Sequence, residues 1–188
     1  MLILCTGKCT KQIEELQSHT KTYTATLQLG ATTASYDMEH PVNQTYPTDH
    51  ITRELIEEAL QRFVGDIEQV PPTYSAVKVD GKRAYNIRRK GDDVTLQPKR
   101  VRIDAIELTD YDAEKKQVSI RVVCGKGTYI RALARDLGRA VGSGAYLTAL
   151  RRTQSGSFTI DECVPFDHFA EWLEQQLPAD EMINTVTE

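Results

Sequence analysis

The stretch VVCGKGTYIRALARDLG, residues 122–138, joins an alternating strand pattern to a helix through a Gly-Lys-Gly bend. After the bend, apolar residues recur every three or four positions, which is the spacing of one buried helical stripe. Gly142 and Gly144 then mark where this helix should end. The stripe consists of Ile130, Leu133, Ala134, Leu137 and Val141. The sequence therefore predicts a strand, a tight bend and a helix packed on the core.

Three arginines follow on a neighbouring stripe of the same helix: Arg131, Arg135 and Arg139. Arg131 falls in the first turn, where the helix macrodipole favours a carboxylate over a cation. A surface arginine packing its stem over the strand would satisfy the pattern. So would a buried bidentate pair with a carboxylate or a phosphate, which the nearby glycines allow by close backbone approach. At this point both interpretations stay open.

Outward from this centre, three further segments alternate apolar and polar residues as strands do. TYTATLQLG places Tyr23 on the same face as Ala25, Leu27 and Leu29. KRVRIDAIELTDYD and KQVSIRVVC are joined by a polar loop around Glu114, which predicts an antiparallel pair.

Other segments predict helices and a turn. TRELIEEALQRFVG has one apolar face, with Thr52 as its cap and Gly65 as its end, and YSAVKVDGKRAY predicts a strand, an Asp-Gly turn and the start of a short helix. FDHFAEWLEQQL predicts a last helix whose apolar side chains close over the core: Phe166, Phe169, Trp172 and Leu173. Mixed elements without regular βαβ alternation favour an α+β fold, with a largely antiparallel sheet flanked by helices.

Composition limits the classes of protein that fit. A chain of 188 residues with 40% hydrophobic content can bury one sizeable core. Four cysteines and four histidines without metal-ligand spacing argue against a metal site and fit reduced thiols in the cytoplasm. The apolar start MLILC is too short to span a membrane. Two interpretations of this start remain. The apolar residues belong to a hydrophobic core that the chain enters at residue 1, or they form an edge strand or a first helical turn that is apolar by chance.

The net charge of -4 hides a basic segment between residues 78 and 102, which holds nine basic residues and three acidic ones. A solvated face explains such a run, and so does a surface that contacts RNA phosphates. The second interpretation singles out Lys78, Lys82, Arg83, Arg88 and Arg89.

Four motifs in order along the chain resemble the TruB family of tRNA pseudouridine synthases: KTYTATLQLGATTASYD, VPPTYSAVKVDGKRAYNIRRKG, KGTYIRALARDLG and GSGAYLTALRRTQSG. The similarity runs from Met1 to about Trp172. It implies a pseudouridine synthase-like fold, truncated at its N-terminus, with residues 1–176 forming a partial catalytic domain. Residues 177–188 would be an acidic tail, and the RNA-binding PUA domain of many relatives would be absent.

The resemblance also implies an activity: isomerisation of a uridine, uridine-55, in the T loop of tRNA, without metal or organic cofactor, by a cytoplasmic protein that is a monomer when complete. The family's catalytic aspartate lies in a Gly-His-x-Gly-x-Leu-Asp-Pro segment that has no counterpart in these 188 residues. We therefore expect that aspartate upstream of Met1, and we expect the 188-residue chain to be inactive.

By resemblance, Arg131 pairs with the catalytic aspartate and Tyr23 stacks on the flipped base. Asp37 matches a polar residue thought to assist extrusion of the base. The remaining matches are Tyr129 and Lys11 in the wall of the site and Leu150, which closes the pocket. For each residue, ordinary packing or a solvated charge is the alternative.

Two departures from the family pattern weaken the expected substrate contacts. The family's Thr-Asp-Thr is here Thr33, Ala34 and Ser35, and the serine common before Lys-Gly-Thr is here Gly125. Two other functions also fit the residues. One is a catalytically silent domain that binds or folds tRNA, and the other is a protein-interaction domain whose basic segment docks on an acidic partner.

Overall fold

The computed structural model describes residues 1–79, 81–89, 92 and 95–176. Ten strands are assigned in it: β1 (Lys21–Leu29), β2 (Ala31–Thr33), β3 (Val42–Thr45), β4 (Gly65–Gln69), β5 (Lys78–Val79), β6 (Lys82–Arg83), β7 (Lys99–Asp112), β8 (Gln117–Cys124), β9 (Ala145–Ser155) and β10 (Phe158–Thr159). The α-helices are α1 (Ile13–Ser18), α2 (Arg53–Gln61), α3 (Ala84–Arg89), α4 (Ile130–Ala140) and α5 (Phe169–Gln176). Short 3₁₀ helices cover Gly7–Gln12, Ile160–Glu162 and Phe166–His168.

Six strands form one sheet in the order β10-β9-β1-β8-β7-β4, and every described pairing is antiparallel. Two short hairpins, β2-β3 and β5-β6, stand apart from this sheet. The predicted α+β class with a largely antiparallel sheet is confirmed.

The core lies between this sheet and two helices, with α4 packed on β9 and β1 and α2 packed on β7. The inward residues of β1 and the whole predicted stripe of α4 are buried in it, as their periodicities predicted. Gly138 of α4 lies so close to β9 that a Cβ atom would come within 2.4 Å of the Ala145 nitrogen. The helix therefore sits directly on the sheet at this point.

The predicted strands β1, β7 and β8 and the helix α4 are confirmed, but two expectations need correction. Helix α2 begins after its Thr52 cap and ends at Gln61, whereas Gly65, at φ 100°, starts β4. The α5 region does not close over the core: Phe166 is 92% exposed, Trp172 and Leu173 are exposed, and α5 buries none of its residues. Its aromatic rings instead stack on each other, Phe169 on Trp172 at 5.9 Å, because α2 and α4 already cover the sheet.

The first residues of the chain carry no regular structure. Residues 1–6 form neither helix nor strand, and Leu2 and Leu4 project into solvent. The predicted acidic tail, residues 177–188, lies outside the described residues. Among the residues described, no helix is both long and apolar enough to cross a membrane.

Candidate functional site

Arg131 is the second residue of α4, and the bend before it is fixed by the backbone. Gly127 adopts φ 89°, a left-handed conformation that side-chain-bearing residues rarely reach. The Gly125 N–H donates to the Arg102 carbonyl at 2.9 Å, and the Thr128 hydroxyl donates to the Gly125 carbonyl at 3.1 Å. The chain therefore passes from β8 into α4 through a bend whose backbone these contacts fix.

The side chain of a buried glutamine hydrogen-bonds both backbone groups of Tyr129, the residue that precedes α4. The Gln69 side chain accepts from the Tyr129 N–H at 2.8 Å and donates to the Tyr129 carbonyl at 3.2 Å. Gln69 ends β4 and is only 2% exposed. Sequence reasoning missed this residue, because a glutamine that follows Asp66 and Glu68 gives no signal of burial.

The Arg131 guanidinium, whose side chain is 22% exposed, reaches three acceptors on two loops. One terminal nitrogen donates to the Ser35 carbonyl at 3.2 Å and to the Asp37 carboxylate at 3.1 Å. The other donates to the Tyr74 carbonyl at 2.8 Å. Among the described residues, the guanidinium therefore makes a single contact with a carboxylate, that of Asp37, and two contacts with backbone carbonyls. Three of the five N–H donors of the arginine are used in this way.

Asp37 is itself held by the loop that precedes it. One carboxylate oxygen accepts from the Ser35 hydroxyl at 2.5 Å and from the Glu39 N–H at 3.0 Å, and the Asp37 N–H donates to the Thr33 hydroxyl at 3.1 Å. The Ser35 hydroxyl also lies 3.0 Å from a ring nitrogen of His40. The carboxylate is thus fixed in place beside Arg131.

Tyr74 and His40 complete this cluster, with ring centroids 4.5 Å apart. Sequence reasoning missed both residues. Tyr74 contributes a backbone carbonyl, and any residue type supplies that acceptor, so its side chain gives no sequence signal.

Tyr23 lies on β1 with its ring against the core, on the face that the alternation predicted. It lines a depression of about 200 Å³ together with Lys21, Lys126 and Thr128. Burial raises the pKa of the Tyr23 phenol, so it stays neutral at neutral pH. Among the described residues no hydrogen bond joins Tyr23 to Arg131, which faces the loop that carries Asp37.

Lys21 lies beside Tyr23 and is buried, with its ammonium donating to the carbonyls of Gln17 and His19 at 2.5 Å each. Burial, and then the nearby Arg152, lower the pKa of Lys21. The lysine therefore fixes the chain ahead of β1 rather than presenting a mobile charge to a ligand.

The other predicted site residues lie in three places. Tyr129 is the half-buried N-cap residue of α4. Leu150 is 48% exposed on β9, opposite Ala25 of β1, and Lys11 is exposed in the 3₁₀ helix Gly7–Gln12. The structure therefore joins Arg131 to Asp37, whereas no hydrogen bond among the described residues joins these three to either one.

The predicted RNA-contacting residues lie on the separate β5-β6 hairpin and on α3. Lys78, Lys82 and Arg83 are exposed there, and Arg83 donates to the Tyr85 hydroxyl at 3.2 Å. The side chains of Arg88 and Arg89, on α3, lie outside what the structure describes. No group of three or more His, Cys, Asp or Glu in the described ranges is placed to share a metal ion.

Two family models match almost the whole chain. Residues 1–130 match the TruB family pseudouridylate synthase N-terminal domain, and residues 131–186 match the tRNA pseudouridylate synthase B C-terminal domain. The boundary between the two models falls at Arg131, within α4.

Curated relatives carry the same description. A tRNA pseudouridine synthase B of Phocaeicola vulgatus is 59% identical over 184 residues, covering 98% of this chain and 77% of its own length. One from Bacteroides fragilis is 58% identical, covering 94% of this chain and 75% of its own. One from Mycobacterium bovis is 42% identical, covering 96% and 61%.

Solved structures show the same architecture. A chain of a Cbf5-Nop10-Gar1 complex superposes with a TM-score of 0.62 at 26% identity, covering 91% of this chain and 42% of that one. A chain of an H/ACA RNP bound to a substrate RNA containing 2'-deoxyuridine gives a TM-score of 0.58 at 22% identity, covering 92% and 41%. The second likeness concerns the fold alone.

Proposed function

Because this chain belongs to the TruB family of pseudouridylate synthases, we propose that it forms most of the catalytic domain of a cytoplasmic, monomeric enzyme that isomerises uridine-55 in the T loop of tRNA. Residues 1–176 make up this partial domain. The observation that carries the proposal is the Arg131 guanidinium, held by Ser35, Asp37 and Tyr74 while two of its N–H donors have no acceptor among the described residues.

The two remaining donors suit a second carboxylate. Arginine binds carboxylates through paired N–H groups in a fixed plane, and such charge-assisted bonds are stronger than neutral ones. In this proposal the family's catalytic aspartate occupies that position and is kept ionised and oriented by Arg131. Asp37 holds the arginine from the other side and assists extrusion of the uridine.

The reaction breaks the bond between N1 of uracil and C1′ of the ribose and forms one between C5 and C1′. A hydrogen leaves C5 and one is gained at N1, so substrate and product are isomers. The base must first leave the helical stack, at a cost of a few kcal/mol, and stacking on an aromatic ring returns about 1–3 kcal/mol. Tyr23 supplies that ring, and its phenol is uncharged at neutral pH, since burial only raises a pKa that ordinarily lies near 10.

The remaining side chains line the path of the base in this proposal. Tyr129 and Lys11 form part of the wall, and the exposed Leu150 closes over the base once it is bound. An exposed leucine becomes buried when it covers a ligand, which favours the closed complex.

The nucleophile is the first point to test. We expect no pseudouridine from the pure 188-residue chain, since it has no Gly-His-x-Gly-x-Leu-Asp-Pro segment. Extending the chain at residue 1 with that segment should give turnover of a T-arm hairpin RNA, and the same extension with Asp→Asn should give none. Pseudouridine is measured by chemical derivatisation of the RNA.

Each other outcome has a clear meaning. Turnover by the unextended chain would place the nucleophile inside residues 1–188. An extended chain that binds the hairpin and never isomerises it would favour the silent tRNA-binding function.

The β5-β6 hairpin and α3 are proposed to grip RNA phosphates, which fixes the position of the arm without reading its sequence. Replacing Lys78, Lys82, Arg83, Arg88 and Arg89 with Gln should flatten the slope of log affinity against log salt by about 0.9 for each duplex phosphate that the variant no longer neutralises. Filter binding of the hairpin over a range of salt concentrations measures that slope.

A control variant removes four exposed basic residues elsewhere: Arg53, Arg62, Lys115 and Arg121. Its slope should stay close to that of the original chain. Equal slopes for both variants would mean that the basic segment is a solvent-exposed surface that does not contact RNA phosphates. Displacement of the RNA by an acidic protein would favour the protein-docking function.

A further inference from the structure

His40 lies in the loop between β2 and β3, residues 34–41, and the reaction proposed above gives it no task. Its imidazole is half-buried. The ring nitrogen Nδ1 lies 3.0 Å from the Ser35 hydroxyl oxygen, and the ring packs on that of Tyr74 with centroids 4.5 Å apart. Ser35 and Tyr74 both accept from Arg131 through their backbone carbonyls. The contacts of His40 therefore lead to both sides of the arginine.

The hydroxyl of Ser35 fixes which nitrogen of His40 carries a proton. Ser35 is fully buried, and its Oγ lies 2.5 Å from one carboxylate oxygen of Asp37. This distance is that of a hydroxyl donating to a carboxylate, which can only accept. A hydroxyl has a single proton, so towards His40 the Ser35 oxygen is an acceptor. The Nδ1 atom of His40 must therefore be the donor in their contact.

The hydrogen bonds that start at His40 all run in one direction. The Nδ1–H of His40 donates to Ser35, and the Ser35 hydroxyl donates to one oxygen of Asp37. The other oxygen of Asp37 accepts from Arg131 at 3.1 Å. Consecutive hydrogen bonds of this kind polarise one another, so each strengthens the next. The chain of donors thus orients Asp37 from one side and presents its second oxygen to Arg131.

Tyr74 connects the same histidine to the other side of the arginine. Its ring packs on His40, and its backbone carbonyl accepts from Arg131 at 2.8 Å. The contacts therefore form a closed cycle, which consists of Arg131, Asp37, Ser35, His40 and Tyr74 in that order. In a closed cycle each side chain is held from two directions, so its position depends on every other member.

The cycle joins two segments that no strand pairing connects. Ser35, Asp37 and His40 lie in the loop between β2 and β3, whereas Tyr74 lies between β4 and β5 in residues 70–77. In the part of the chain that the structure describes, no hydrogen bond runs directly from one segment to the other. Arg131 bonds both segments, and the packing of His40 on Tyr74 brings them together a second time. A separation of about 1 Å would cost Arg131 an acceptor.

The sequence of the loop makes Asp37 depend on Ser35. At the aspartate position of the family's Thr-Asp-Thr pattern this chain has Ala34, whose side chain neither donates nor accepts, and Ser35 follows it. The carboxylate oxygen that Ser35 contacts also accepts from the Glu39 N–H at 3.0 Å, but any residue other than proline supplies that donor. The side chain that orients this oxygen is therefore that of Ser35, and His40 stands behind it.

We propose that His40 is a positioning residue of the active site, which donates its Nδ1 proton to Ser35 and packs on Tyr74, and thereby holds the acceptors that orient Arg131. This inference rests on the proposed function, in which Arg131 holds the catalytic aspartate. His40 has no hydrogen bond with Arg131 among the described residues, so its effect on the reaction passes through Ser35, Asp37 and Tyr74.

The first test observes the histidine directly in the 188-residue chain. Long-range proton–nitrogen correlation spectra, recorded at about pH 8 where histidine is neutral, show which ring nitrogen carries the proton. We expect the Nδ1–H form at His40, which free histidine disfavours, and Ser35→Ala should shift it towards the Nε2–H form. The spectrum of His40→Asn assigns the His40 signals. An Nε2–H form in the original chain would overturn the proposal, as would an Nδ1–H form that Ser35→Ala leaves unchanged.

The second test compares replacements of His40 in the protein extended by the aspartate segment. Asn places an amide N–H near the position of Nδ1, Gln places it one atom further out, near Nε2, and Ala removes it. At saturating RNA, His40→Ala and His40→Gln should slow single-turnover pseudouridine formation about threefold to tenfold, whereas His40→Asn should restore most of the rate. Affinity for the hairpin should not change. His168→Asn, at an exposed histidine, is the matched control and should leave both quantities unchanged.

The two tests separate this inference from the function on which it rests. Equal rates for His40→Asn and His40→Gln would overturn the positioning role, and so would weaker binding of the hairpin with an unchanged rate. An Nδ1–H form of His40 in a protein that, when extended, never isomerises the hairpin would overturn the proposed function while supporting the contact with Ser35. Circular dichroism melting shows whether His40→Ala is folded, and the comparison of Asn with Gln decides the matter if it is not.

Discussion

Replacing Arg131 with Lys, in a protein extended by the aspartate segment, is expected to slow pseudouridine formation by about tenfold to more than a hundredfold. Lysine keeps the charge but loses the planar set of donors that spans Ser35, Asp37 and Tyr74 and that, in the proposed function, also holds the catalytic aspartate. Charge-assisted hydrogen bonds contribute about 1.5–3 kcal/mol, and each 1.36 kcal/mol is about tenfold in rate. Single-turnover assays at saturating RNA measure the effect.

Binding of the RNA should change much less than the rate. A phosphate-contacting arginine would behave in the opposite way, losing affinity and salt dependence while chemistry stayed nearly normal. Filter binding of the same variant therefore identifies the role, and Arg53→Lys, at an exposed position of α2, provides the control. Normal chemistry with weakened binding would move Arg131 from the active site to the RNA-gripping surface.

The second large effect is expected at Gln69. Replacing it with Leu leaves the N–H of Tyr129 without its partner beside the buried Gln69 position, whereas the Tyr129 carbonyl still accepts from the Leu133 N–H. An unsatisfied buried polar group costs about 1–3 kcal/mol, so we expect the free energy of unfolding to fall by at least that much. Urea unfolding measures the decrease, and hydrogen exchange of the Tyr129 amide should accelerate.

A glutamine in an exposed position gives the comparison. Gln154 also donates to a backbone carbonyl, that of Gly156 at 3.0 Å, but at an exposed site. Gln154→Leu should change the free energy of unfolding by less than about 0.5 kcal/mol. Equal effects of the two substitutions would mean that Gln69 does not hold the start of α4.

Much of the fold could be predicted because some elements bury a single face. In β1 and α4 the apolar positions follow the period of the element, since one side meets the core. The sequence did not predict strand β9, because buried and exposed residues do not alternate regularly along it. The strand pairs with β1 through two shifts of register and leaves Leu150 exposed. The prediction for the last helix, α5, was wrong for a different reason. Its apolar residues predicted burial, but the structure leaves this helix without a buried residue.

The candidate site was predictable only in part, for a related reason. Arg131 and Asp37 carry charged side chains within recognisable motifs, so both could be singled out. The acceptors that hold Arg131 include the carbonyls of Ser35 and Tyr74, and a carbonyl is present at every residue. Gln69 acts on a residue 60 positions away, which periodicity does not reveal. Contacts of this kind appear only once the chain is folded.

The central place of β1 in the sheet has a consequence for how the protein is made. This strand lies between β8 and β9, and the Thr153 hydroxyl bonds the Thr22 carbonyl, 131 residues earlier in the chain. During synthesis, β1 leaves the ribosome long before either partner exists, and its edges must stay unpaired in the meantime. Contacts so distant in sequence also slow folding, because the loop between them must close first. We therefore expect the newly made chain to depend on chaperones until β9 has emerged.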